Sequence, residues 1–113
     1  MNWINIESES DLEKAIEVSF QDNLGVAIFK HSTRCSISTV AKSRLSSFWN
    51  FKEELPIYCL DLISFRNLSD LIAEKFNVQH ESPQILIIKD GKCIYHSSHM
   101  SISVKSLHEE LED

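Results

Sequence analysis

The sequence predicts one α/β domain with a central mixed sheet of four or five strands and helices on both faces, and three observations carry that expectation. Amphipathic helical stretches alternate with short, uniformly apolar runs, the pattern of strands buried between helices. The last two strand-like runs flank Asp90-Gly91, the strongest short-range hairpin signal in the chain, so the sheet should end in an antiparallel pair. With 113 residues, 42% of them hydrophobic, and only two glycines and two prolines, the chain can build one core over 1–113 but not two.

A short strand at Trp3 to Ile6 would supply the fifth strand. Ser10-Asp11-Leu12-Glu13 has the form of a capping box, and Leu12, Ala15, Ile16 and Phe20 follow at helical spacing, predicting a first helix over 10–20. Gly25 and the run Val26 to Phe29 read as a buried strand. After Cys35, the positions Ile37, Val40, Ala41, Leu45, Phe48 and Trp49 predict a helix with one apolar face, which sets Cys35 between a strand and a helix. Pro56 opens a second buried strand, Ile57 to Leu62, containing Cys59. Leu68, Leu71, Ile72 and Phe76 mark a helix ending near Asn77, a residue that tolerates the left-handed conformation. Pro83 precedes the strand Gln84 to Lys89, the hairpin leads into Lys92 to His96, and a last helix over Ser103 to Leu111 turns Val104, Leu107 and Leu111 inward. Phe48, Trp49 and Phe76 are read as core.

The N-terminus has neither a basic n-region nor an apolar h-region, and no run approaches the roughly 18 apolar residues of a membrane span. A cytoplasmic location without membrane partners is the expectation. Three cysteines leave at least one thiol unpaired, which suits a reducing compartment. A net charge of −6 disfavours nucleic acid, because neutralising phosphates needs a basic surface. The charge is nevertheless uneven: from Asn23 to Lys52 there is no acid, while Lys30, Arg34, Lys42, Arg44 and Lys52 fall in that window around Cys35. Such a run is ordinarily a solvated face, but here it surrounds a cysteine.

A cysteine at the start of a helix has its thiolate favoured by orphan backbone N–H groups and the positive end of the helix dipole. Arg34 beside it, with Lys30 and Lys42 near in sequence, would favour the anion further, as would a protonated His31 four positions away. The bland alternative is a small polar loop residue without chemistry. Position 38, where a C-x-x-C enzyme keeps its resolving cysteine, is Ser38, so no internal disulfide can form there. Cys59 and Cys93 lie in predicted strands and read as small core hydrophobes, which leaves resolution to a second thiol molecule. Cys93, His96 and His99 are a poor metal set, since no fourth ligand is evident and residues 93 and 96 of a regular strand face opposite sides. His31, His80 and His108 are isolated and read as surface or loop residues. Pro83 is either an ordinary trans proline at a strand start or a cis proline packed against the sulfur, leaving the Ser82 backbone free to pair with an extended substrate.

Lys30-His31-Ser32 with Cys35 and Ile37-Ser38, then Leu68-Ser69-Asp70, Ile72-Ala73, Asn77-Val78 and His80-Glu81-Ser82-Pro83-Gln84, closely resemble the monothiol bacilliredoxins of the YtxJ type, in order and spacing over nearly the whole chain. The resemblance implies a thioredoxin-like fold, a cis Pro83, and removal of bacillithiol from mixed disulfides on client proteins. Cys35 would be the nucleophile, with Thr33, Arg34, Ser36, Ser38, Ser82 and Pro83 around the substrate. No cofactor would be tightly bound, and bacillithiol would act as thiol co-substrate. The family's motif has proline after the catalytic cysteine, where this chain has Ser36; that loses a rigid first-turn residue and restores an N–H donor. Thioredoxins carry a buried acid on the strand before the active site, and this chain has an apolar residue there, aligned as Ile28, which agrees with the missing resolving thiol. The malate carboxylates of bacillithiol give Arg34 or Lys42 a purpose.

Two other readings fit some of these residues. A sensing module would accept a low-molecular-weight thiol on Cys35 and hold it without turnover. A glutaredoxin-like iron–sulfur carrier fits less well, because the glycine and aromatic residue of the C-G-F-S group are missing after Cys35.

Overall fold

The computed structural model describes residues 1–21, 24–51 and 54–112. The order of elements is β1 (Trp3–Asn5), α1 (Glu9–Val18), β2 (Val26–His31), α2 (Ser36–Phe48), β3 (Ile57–Asp61), α3 (Arg66–Phe76), β4 (Gln84–Lys89), β5 (Lys92–Ser98), a 3-10 turn (His99–Ser101) and α4 (Val104–Leu111). The sheet runs β1-β3-β2-β4-β5; β1, β3 and β2 are parallel, and β4 and β5 continue it antiparallel. None of the described helices is long and apolar enough to cross a membrane.

Strand alternation divides the apolar side chains between two layers. Ile28, Leu60, Leu86 and Ile88 point to one face and pack with Leu12, Ala15, Leu68 and Ile72 of α1 and α3. Phe29, Ile57, Cys59, Ile85 and Ile87 point to the other and pack with Ala41, Leu45 and Leu107 of α2 and α4. Because both faces are covered, β2 and β4 read as continuous apolar runs rather than alternating ones. Asp90 and Gly91 both have positive φ, 53° and 76°, the requirement of the two-residue turn that joins β4 to β5. Asn77 ends α3 in the left-handed conformation.

Several expectations are corrected. α1 begins at Glu9 because Ser8, not Ser10, is the cap, its hydroxyl accepting from the Asp11 N–H. Phe20 lies beyond that helix and is exposed, with its ring against Gly91. α2 buries Ser38, Ala41 and Leu45, while Ile37, Val40 and Phe48 face solvent; Phe48 is 65% exposed and is not core. β3 stops at Asp61 and β5 runs on to Ser98. An irregularity in the β4–β5 register pairs Ile87 with Tyr95 but Ile88 with Cys93, so Ile94 is the extra residue of a bulge. Cys93 and His96 consequently share the face of Ile88 and Leu86 rather than opposing one another. Among the described residues no three His, Cys, Asp or Glu side chains are grouped to hold a metal ion.

Candidate active site

Cys35 is the N-cap of α2, in extended conformation, with no side-chain cap bond. Its N–H donates to the Ser32 carbonyl at 3.2 Å, and its own carbonyl accepts from the Thr39 N–H at 3.1 Å, so the loop closes tightly onto the helix start. Cys35 is unpaired and half-buried at the head of α2. Thr33, Arg34 and Ser36 around it are exposed.

Ser38, expected among the substrate-binding residues, is fully buried. Its hydroxyl accepts from the Ser32 N–H at 3.0 Å and lies 2.6 Å from His31 Nδ1. The side chain that stands in the resolving position therefore holds the loop and cannot meet a substrate. His31 is stacked on Phe29, with ring centroids 5.8 Å apart. Burial, with Lys42 adding to it against Asp61, lowers its pKa from 6.5, so His31 is neutral at pH 7 and lends no positive charge to the sulfur.

The basic window also disperses on folding. Lys30 lies on the α3 face of β2, the opposite side from Phe29 and His31, and is fully buried. Its Nζ donates to the Ser69 carbonyl at 3.0 Å and sits 3.4 Å from His80 Nδ1, which also lies 3.1 Å from Ser69 Oγ. Desolvation, partly offset by Asp70, brings the Lys30 pKa down to about 8. His80 is held below 6.5 by burial and by the Lys30 and Arg66 charges. His80 is thus not an isolated loop residue. Lys42 Nζ lies 5.2 Å from the centre of the Trp3 ring, Arg44 is farther along α2, and Lys52 lies outside the described residues. Of the basic residues in that window, Arg34 alone directly adjoins Cys35 in the chain.

The Lys30 network fastens the segment before β4. Gln84 Nε2 donates to the Gln79 carbonyl at 3.0 Å, Ser98 donates to Glu81, and the His99 N–H donates to the Pro83 carbonyl at 3.0 Å. The Ser82–Pro83 peptide is cis and Pro83 is buried. Ser82 Oγ is buried with no hydrogen-bond partner in the structure. The predicted strand stops at Phe29, whereas β2 runs on to His31; with that extension, alternation would have flagged Lys30 as a lysine whose ammonium must lie under one helix layer.

Cys59 is buried in β3, and burial raises its thiol pKa. Cys93 packs under α1 and α3, is raised likewise, and donates to the Tyr95 carbonyl at 3.3 Å. Neither is bonded to Cys35. A cleft of about 370 Å³ opens beside Thr33, lined by His31, Lys42, Cys59, Asp61 and Ser64. Ile28, aligned above with the buried acid of thioredoxins, faces α1 and α3; the residue under α2 is Phe29, which is equally unable to accept a proton.

Comparison with known proteins agrees with this geometry. A solved structure described as having a thioredoxin fold is 33% identical, with a TM-score of 0.83 over 98% of this chain and 94% of that one. The thioredoxin of Malassezia sympodialis superposes with a TM-score of 0.70 at 15% identity, covering 98% of this chain and 89% of its own. Spinach chloroplast thioredoxin f gives 0.73 at 9% identity, over 97% and 90%, and shares the fold. The sequence matches the monothiol bacilliredoxin BrxC family over residues 4–107. With the thioredoxin fold and a thiol at the head of α2, this chain belongs to the monothiol bacilliredoxin family, whose role is of the thiol oxidoreductase kind.

Proposed function

We propose that the protein removes bacillithiol from mixed disulfides on client proteins by exchange at Cys35. The observation that carries this reading is the pairing of a half-exposed N-cap thiol with a serine, buried and hydrogen-bonded, at the resolving position. The Cys35 thiolate attacks the bacillithiol sulfur, forming a Cys35–bacillithiol disulfide as the client–bacillithiol bond breaks. The client sulfur leaves as a thiolate and takes a proton from water. A free bacillithiol thiolate then attacks the same sulfur, releasing Cys35 and forming bacillithiol disulfide. The disulfide moves without net oxidation, and its direction is set by the thiol pool.

Cys59 and Cys93 take no part, because burial keeps both thiols protonated near neutral pH. Thr33 and Ser36 border the attacking sulfur, and the Ser82 main chain before Pro83 offers an edge for an extended substrate. Arg34, and Lys42 across the cleft, supply cations for the malate carboxylates. Reversing both charges is expected to slow exchange with bacillithiol disulfide and to leave exchange with an uncharged small disulfide unchanged.

The test is intact mass after mixing reduced protein with bacillithiol disulfide. Wild type should gain one bacillithiol and Cys35→Ser none. Equal labelling of the two would overturn the assignment.

A further inference from the structure

One surface of α2 is not used by the exchange chemistry. Ile37, Val40, Arg44 and Phe48 fall at i, i+3, i+7 and i+11, forming a strip roughly 17 Å long that starts two residues after Cys35. Ile37, Val40 and Phe48 are 44%, 45% and 65% exposed, unusual for large apolar side chains in a row. At its far end the strip opens into a cleft of about 550 Å³ between α2 and α4, lined by Phe48, Met100, Ile102 and Val104, with Arg44 and Lys105 at its margin. Met100 is 68% exposed. Among the described residues no acid lines this cleft, although the chain as a whole carries a charge of −6.

We propose that this strip and cleft dock the client polypeptide flanking the mixed disulfide, selecting segments whose apolar side chains are bordered by carboxylates. The inference rests on the thiol-exchange reading, since it is the reacting disulfide that brings a client to the head of α2. Charge complementarity names the occupant. Arg44 and Lys105 are cations beside an apolar hollow, so a carboxylate next to a leucine or phenylalanine satisfies both, whereas a lysine there meets like charge. A basic nucleic acid-binding segment or a second copy of this acidic chain's own apolar face lacks that match.

The experiment measures kcat/KM for two substrates and the rate of Cys35 adduct formation with a third. The first two are peptides long enough to span the strip, each with one central cysteine carrying bacillithiol and with leucines on both sides; one has glutamates between the leucines, the other lysines. The third is bacillithiol disulfide, followed by intact mass as it loads Cys35, because discharge by bacillithiol re-forms the same disulfide. Wild type should prefer the glutamate peptide by about tenfold, and the preference should shrink at high salt. Arg44→Glu with Lys105→Glu should reverse it, and Phe48→Ser with Met100→Ser should slow both peptides. All variants should form the Cys35 adduct with bacillithiol disulfide at the wild-type rate. Equal rates on the two peptides, or variants that slow all three substrates alike, would overturn the docking surface. Failure to exchange bacillithiol disulfide at all would instead overturn the thiol-exchange reading, and the docking surface with it.

Discussion

Ser38 Oγ lies 2.6 Å from His31 Nδ1 inside the protein, directly beneath the loop that presents Cys35. Two elements meet in this contact: the last residue of β2 and the first turn of α2. It converts the position of a resolving thiol into an anchor. Removing the hydroxyl leaves His31 Nδ1 and the Ser32 N–H buried without partners. Ser38→Ala should therefore lose about 1–3 kcal/mol in urea unfolding, with Cys35 still able to form its adduct. Ser38→Cys should turn the single adduct into an internal disulfide between Cys35 and the introduced thiol, with release of bacillithiol, visible by intact mass.

His31 is buried and neutral, and its folded pKa lies below 6.5. Below pH 6.5 the unfolded chain takes up a proton that the folded state refuses, so stability is present above that pH and falls as the pH drops through it. His80 acts in the same direction. Imidazole NMR titration should give both histidines midpoints under 6.5; a His31 midpoint above that value would contradict its neutral role.

Lys30 adds a separate alkaline signature. Its folded pKa of about 8 lies below the unfolded 10.5, so between these values the unfolded state holds the extra proton and stability from this group rises with pH. The gain is at most about 3 kcal/mol. Cys59, Cys93 and Tyr58, all raised by burial, oppose it. The clean measurement is the difference between wild type and Lys30→Met across pH 7.5 to about 10.5. Wild type should gain relative to the variant as pH rises; a flat difference would show that Lys30 is not desolvated.

Two large apolar positions on one helix should behave oppositely. Leu45 is fully buried against the α2 side of the sheet, so Leu45→Ala should cost about 2–5 kcal/mol. Phe48, three residues on, is exposed, and Phe48→Ala should stay within about 0.5 kcal/mol of wild type. Denaturant unfolding of the pair separates the structure from the apolar face that periodicity predicts.

That contrast shows where the sequence was legible. Uniform apolar runs such as Val26 to Phe29, and Ile85 to Ile88 within Gln84 to Lys89, announced buried strands, and Asp90-Gly91 announced its turn, because each signal is local. Cys35 at a helix start was legible for the same reason. What periodicity could not reveal depends on partners distant in sequence. Whether Phe48 is covered depends on where α4 packs, and the Ile94 bulge shows only in the register with β4. Lys30 looked like a charge for Cys35 because the two are five residues apart, yet strand alternation sends its ammonium to Ser69 and His80 on the far side of the sheet. His31 looked like a cation until its burial was known.

The central claim is turnover through one sulfur, and discharge of the adduct tests it most directly. Wild type carrying bacillithiol on Cys35 is mixed with free bacillithiol, and the intact mass is followed alongside release of the client thiol from a bacillithiolated single-cysteine peptide. The adduct should vanish rapidly, and one protein molecule should process many peptides. An adduct that persists while the peptide stays modified would contradict catalysis and leave a domain that only holds the thiol it has accepted.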